Sequence, residues 1–322
     1  MWALYAVIGA VGLLLLLWLV FGCVVCVKFL SRKAGDVCRD MAKKWAAGEV
    51  TDPDSPSERF LVDWALRHKP EEVSIQSRDG LKLVGAMLRQ PLPGRPWAVI
   101  VHGYTCNKET MAFAVQKYYD EMNMNVLAMD LRAQGVSEGN YITMGWKDRL
   151  DVIQWLEWLI EREPGCEITL YGISMGASTV LMVSGEPLPA QVKSIVADCG
   201  YTSAEEVFAH NAKEILRLPS WFVLPPANLF AWLLAGFRFK EASALKQVEK
   251  NTRPLFLIHG GNDNLVPTKM VYPLRAAAGK TCEQFLVVPG AGHGESQQKD
   301  GAYWARVRDF VQAHFHAAPV TA

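Results

Sequence analysis

The stretch "LYGISMGAS", residues 170–178, decides how the rest of the chain is read. Two glycines bracket a serine at the spacing Gly172-x-Ser174-x-Gly176, with an apolar run before it and small residues after it. If the run is a buried strand and the small residues open a helix, Ser174 sits at a sharp strand-to-helix turn that holds its hydroxyl out from the sheet edge. Small neighbours are needed at such a turn because other backbone passes close by, and Gly172, Gly176 and Ala177 meet that need.

The surrounding pattern supports the strand. "EEVSIQS" and "LKLVGAML" flank Arg78-Asp79-Gly80 and read as a hairpin. Short continuous apolar runs follow: "WAVIVHG", "NVLAMD", "EITLYG", "VKSIVADCG", "PLFLIHG" and "EQFLVVPG". Between them lie helical patterns over residues 108–122, 146–163, 175–184, 268–278 and 299–315. Short apolar runs alternating with helices are the pattern of buried parallel strands in an open α/β sheet. Residues 202–247 interrupt it: no strand is visible, and Pro219, Pro225 and Pro226 stand among many large apolar side chains. This segment reads as a helical insertion, serving either as a cap over a site or as added core.

A serine hydroxyl becomes a useful nucleophile only when a base takes its proton, and the base works best with a carboxylate to orient it. Of seven histidines, His293 in "VVPGAGHGES" lies in a Gly-rich loop after the final strand. His68 and His210 fall in helical stretches, His314 and His316 in the terminal helix and tail, and His102 and His259 at strand ends, where backbone bonds can satisfy them. Asp263, in "LIHGGNDNLVP", occupies the loop after the penultimate strand and is the favoured acid. Asp198, in "IVADCGYTS", is the rival, with capping of the following helical region as its structural alternative. Asp130 is expected to order its own turn with Arg132. A tetrahedral intermediate also needs two N–H donors; Met175, directly after the serine, and Tyr104, after "AVIVHG", are placed to supply them, with Thr105 as an alternative to Tyr104.

Outside this region the composition narrows the function. Half of the 322 residues are hydrophobic, and 33 basic residues balance 33 acidic ones. Without a basic stripe interleaved with aromatics, nucleic acid is excluded as a partner class. The first segment, residues 2–27, carries no Lys, Arg, His, Asp or Glu and is long enough to cross a bilayer. It lacks the basic start and short apolar run of a cleaved signal peptide, so it reads as an anchor. Lys28, Arg32, Lys33, Arg39, Lys43 and Lys44 follow it and nothing basic precedes it, which places the remainder in the cytoplasm. Of the seven cysteines, Cys23 and Cys26 lie inside the apolar segment, the other five (Cys38, Cys106, Cys166, Cys199 and Cys282) show no CxxC pair or metal spacing, and all are expected to be reduced.

The ordered set "VHGYTCNK", "DLRAQGVSEG", "YGISMGAS", "DCGYTS", "IHGGNDNLVP" and "GAGHGES" resembles the α/β-hydrolase superfamily from Glu71 onward. Within it the chain is most similar to the Bem46-like group, membrane-anchored serine hydrolases, although Gly200 stands where that group has proline. The resemblance implies a mostly parallel eight-stranded sheet and a triad carried onto Ser174, Asp263 and His293.

The expected organisation is therefore a transmembrane anchor over residues 1–28, then a basic flank, linker and helix over 29–70. An α/β-hydrolase domain over 71–322 follows, with its cap insertion at 202–247. The expected activity is cleavage of an ester, thioester or amide through an acyl-enzyme. A lipid-like or small acyl compound is the substrate, and no cofactor or metal is implied. A non-catalytic scaffold on the same frame, or peptidase and acyltransferase use of the same triad, are the competing readings. A fragment beginning near Thr51 is expected to be soluble and active.

Overall fold

The computed structural model describes residues 1–35, 40, 44, 49 and 56–315. Cys38, Arg39, Lys43, His316 and most of the linker before Pro56 lie outside the described residues. The chain begins with helix α1 (Trp2–Leu30), 29 residues and about 43 Å long at about 1.5 Å per residue. Helix α2 (Pro56–His68) leads into the hairpin β1 (Glu71–Gln76) and β2 (Lys82–Leu88), whose turn uses Gly80 at φ 89°. Then come β3 (Trp97–Val101), α3 (Ala112–Gln116), β4 (Asn125–Met129), α4 (Asp148–Arg162), β5 (Ile168–Ile173), α5 (Met175–Val183) and β6 (Val192–Asp198). The insertion supplies α6 (Ala204–Glu214), α7 (Ser220–Phe230) and α8 (Ala244–Val248). The domain closes with β7 (Leu255–Gly260), α9 (Val271–Ala278), β8 (Cys282–Val288), α10 (Ser296–Lys299) and α11 (Tyr303–Ala313).

These strands form one sheet of eight in the order β1-β2-β4-β3-β5-β6-β7-β8. The hairpin and its junction with β4 are antiparallel, and every other pairing is parallel. Alternation along β3 shows why its run is wholly apolar: Trp97, Val99 and Val101 join one core cluster, and Ala98 and Ile100 join the other. A strand covered by helices on both faces has no solvent side on which to place polar residues.

The insertion is pinned at its base by an antiparallel bridge between Ser203 and Ser243. Its surplus of large side chains divides three ways. Phe237 and Phe239 are core, Phe222 and Leu224 are half-buried, and Trp221, Trp232, Leu233 and Leu234 are exposed.

Helix α1 packs against the domain. Its last three turns lie along α7, with the Trp18 indole N–H donating to Phe222 O at 2.8 Å and the Phe21 and Phe222 rings 5.6 Å apart. A Cβ on Gly22 would stand 2.3 Å from Pro226 Cβ, so only glycine permits this approach. The end of α1 is bonded to the domain: Ile142 N–H donates to Leu30 O, and the Tyr104 hydroxyl donates to Phe29 O. Arg32 donates to the carbonyls of Gly135 and Ser137.

Two expectations about acidic residues change. Asp130 pairs with Lys108, whose Nζ lies 2.9 Å from its Oδ2, and accepts the N–H groups of Lys108 and Val136. Arg132 instead bridges Asp79 and Asp151. Asp198 does not cap the helical region that follows it; Ser203 does, accepting from Glu206 N–H.

Candidate active site

Ser174 has φ 57° and ψ −119°, a backbone conformation that a residue with a side chain adopts only when its surroundings impose it. The imposition is visible in the two glycines. A Cβ on Gly172 would lie 2.3 Å from Gly176 O, and one on Gly176 would lie 2.1 Å from Val101 O. The strand-helix junction is thus pressed against both its own backbone and that of β3. Ser174 N–H donates to Asp198 O at 2.8 Å, which fixes the turn to the neighbouring strand.

Three chain segments converge on the serine. The loop after β7 carries Asp263 and the loop after β8 carries His293, and Asn262 N–H donates to Ala291 O at 2.8 Å to hold the two loops in register. His293 Nε2 lies 2.8 Å from Ser174 Oγ, and His293 Nδ1 lies 2.7 Å from Asp263 Oδ2. The structure therefore brings together the three side chains that the sequence singled out.

Asp263 is buried, and burial by itself raises its pKa. Hydrogen bonding to His259 and His293, the His293 charge and the Val266 N–H outweigh that, so the carboxyl is held well below the usual carboxylate range. Its second oxygen accepts from the N–H groups of Leu265 and Val266, at 3.0 and 2.9 Å. Asp198 contrasts with it. Burial pushes its pKa up, only partly offset by the Tyr303 and Ser296 hydroxyls that donate to it at 3.0 and 3.1 Å.

His259, expected at a strand end to be satisfied by backbone bonds, does more than that. Its Nε2 lies 2.9 Å from Val266 O and also 3.4 Å from Asp263 Oδ2, so it stands behind the acid as a second imidazole. The only trace of this in the sequence is the four-residue spacing to Asp263. His102 is satisfied as expected: its Nδ1 lies 2.8 Å from Gly103 O, and Leu131 N–H donates to its Nε2 at 3.0 Å.

Of the two donors expected for an oxyanion, Met175 directly follows the serine and Tyr104 lines the same cavity. Met175 is the first residue of α5, where the N–H has no helical acceptor. A Cβ built on Gly103, which precedes Tyr104, would touch Ser174 Cβ at 3.4 Å. Among the described residues, neither the Met175 nor the Tyr104 N–H donates to a protein acceptor. Thr105, the alternative, has φ 58°. The Tyr104 phenol is buried, which pushes its pKa up to about 12.

A cavity of about 150 Å³ opens from Ser174. Its walls are apolar, with Phe208, Leu224 and Val266 from the domain and Val25, Cys26, Phe29 and Leu30 from α1. The described residues offer one metal-like cluster, the donor atoms of Cys199, Asp263 and His293, which lie within 4.8 Å of one another. It fits a metal poorly, because Asp263 and His293 are bonded to each other and burial pushes the Cys199 thiol well above its ordinary range, away from the thiolate that binds metals.

Comparison with known proteins places the chain in a family. Residues 114–318 match the family model described as the prolyl oligopeptidase family. Among sequences, the chain is 31% identical over 171 residues to the uncharacterized protein YqkD of Bacillus subtilis (strain 168), a match covering 52% of this chain and 55% of that one. It is 23% identical over 247 residues to the protein bem46 of Schizosaccharomyces pombe, covering 75% of this chain and 76% of the relative. Among solved structures, the Pyrococcus furiosus esterase Pf2001 superposes with a TM-score of 0.63 at 26% identity, covering 78% of this chain and 95% of the esterase.

Proposed function

Because the chain belongs to the prolyl oligopeptidase family of α/β-hydrolase serine enzymes, we propose that it is a membrane-anchored hydrolase of apolar acyl esters or thioesters, with Ser174 as its nucleophile. The observation that carries this reading is the unbroken hydrogen-bonded line from Asp263 through His293 to Ser174, which ends in an apolar cavity.

In the proposed reaction Ser174 Oγ attacks the substrate carbonyl carbon while His293 Nε2 takes the hydroxyl proton. The Met175 and Tyr104 N–H groups hold the oxygen as it becomes negative. Losing one such donor commonly costs about 3–4 kcal/mol of barrier. The intermediate collapses when His293 gives its proton to the leaving group, and water then releases the acyl group by the same steps in reverse. Asp263, ionised throughout, fixes the imidazole tautomer and offsets its positive charge. Each methylene buried against the apolar walls is worth about 0.8 kcal/mol, so longer acyl chains should react faster until the cavity is full.

Ser174→Ala tests the nucleophile. It should abolish both turnover of p-nitrophenyl esters and labelling by a fluorophosphonate probe, with the fold retained. Activity above about a tenth of wild type would reject the assignment. The family name supplies peptides as the competing substrate class, and faster cleavage of acyl-peptide anilides than of esters would replace the ester reading.

A further inference from the structure

We propose that the membrane helix forms part of the substrate site, and that the substrate is an acyl ester taken from the bilayer with its chain lying against α1. The proposal rests on the catalytic reading given above and adds the substrate's location and a second function for the anchor.

Residues Trp18, Gly22, Val25, Cys26, Phe29 and Leu30 recur at helical spacing and share one face of α1. The lower part of that face docks on α7 through Trp18 and Gly22, and the upper part, from Val25 to Leu30, is wall of the cavity that contains Ser174. Cys26 is 2% exposed and so is enclosed by the domain, whereas its neighbour Val24 on the far face is 58% exposed.

Depth follows from where the uncharged run stops: Lys28 is the first charged side chain after it and is exposed, so the hydrocarbon core ends within the two turns before it. Trp18, Phe21, Trp221 and Phe222 cluster at that level, where a bilayer's aromatic belt falls. The cavity wall begins at Val25, one turn further on. Around it, Ile215 and Leu265 line the cavity while remaining 57% and 44% exposed, and Trp221, whose ring meets that of Phe222 in the insertion, is 74% exposed. Such a rim is costly in water and favourable against acyl chains. An ester entering along α1 would keep its chain in apolar surroundings from the bilayer to the serine.

The test uses the full chain in phosphatidylcholine vesicles, with p-nitrophenyl dodecanoate and p-nitrophenyl acetate as substrates. Cys26→Phe, which fills the cavity from the anchor side, should lower the dodecanoate-to-acetate ratio of kcat/KM by about tenfold, whereas Val24→Phe on the lipid-facing side should leave the ratio within about twofold. With the wild-type chain, diluting a fixed bulk amount of dodecanoate ester with added phosphatidylcholine should lower the rate in proportion to its mole fraction in the vesicle. This arm does not depend on any variant folding. An unchanged ratio in Cys26→Phe, or a wild-type rate that follows bulk concentration, would overturn the proposal while fluorophosphonate labelling of Ser174 still stood. Absence of that labelling in the wild type would instead remove the catalytic reading and this inference with it.

Discussion

Two buried aspartates near His293 differ in what their surroundings do to charge, and this difference assigns their roles. Asp263 has hydrogen-bond donors on both oxygens, including two backbone N–H groups, and touches the imidazole. Asp198 meets only hydroxyls. Asp263→Asn should therefore reduce kcat by orders of magnitude, about 10⁴ in a comparable triad, because the amide stabilises the wrong tautomer and no positive charge. Asp198→Asn should act on stability, in a pH-dependent way. Its carboxyl pKa is raised in the folded state, so folding favours the protonated form, and stability is lost as pH rises through that raised value. A thermal-unfolding series should show the difference between variant and wild type moving in the variant's favour as pH rises. A larger kcat loss in Asp198→Asn than in Asp263→Asn would exchange the roles. Ser174, His293 and Asp263 were legible in the sequence because each lies in a short Gly-rich loop at a strand end, where chemistry and turn signals coincide. His259 was not, because a histidine inside an apolar run looks the same whether it bonds to backbone or also supports an acid.

Helix α1 shows the limit of such reading at the level of an element. Its apolar character is uniform around the helix, so the sequence marks no docking face, and a tether and a wall look alike. The signal that could have separated them is Gly22, a small residue on the same face as Trp18 and Cys26, but glycines at positions 9 and 12 touch nothing and dilute it. The expectation of a soluble, active fragment beginning near Thr51 changes accordingly. Such a fragment keeps the triad but loses four wall residues and the Phe29 carbonyl that receives the Tyr104 hydroxyl. It also bares Phe222, Val223 and Pro226 on α7. We expect it to elute as an aggregate or to require detergent in size-exclusion chromatography. Gly22→Leu in the full chain should produce a milder form of the same defect, a lowered unfolding temperature in vesicles with insertion intact, since a side chain there meets Pro226. An unchanged unfolding temperature would mean that α1 and α7 do not hold together.

On the scale of the molecule, the anchor, the insertion and the sheet share one orientation problem. The end of α1 is fastened to the domain by Ile142, Tyr104 and Arg32, so if α1 spans a bilayer, as proposed, the cavity-bearing face would be held toward it on whichever side the helix emerges. That side is set by charge. Lys28 and Lys33 are exposed directly after the apolar run and, with Arg39, Lys43 and Lys44, form a basic flank on that side of it. Each such charge near an anionic cytoplasmic leaflet is worth about 1 kcal/mol, so under the proposed anchored reading the flank would be retained in the cytoplasm. Arg32 is diverted to the Gly135 and Ser137 carbonyls, which leaves five basic residues in the flank. Protease added to intact cells should therefore leave the hydrolase domain whole, and permeabilisation should expose it to digestion. Replacing the five remaining basic residues by glutamine while adding lysines after Met1 should reverse the protection pattern. Digestion of the unaltered domain from outside would place the site on the opposite face and reverse the side from which its acyl substrate must be supplied.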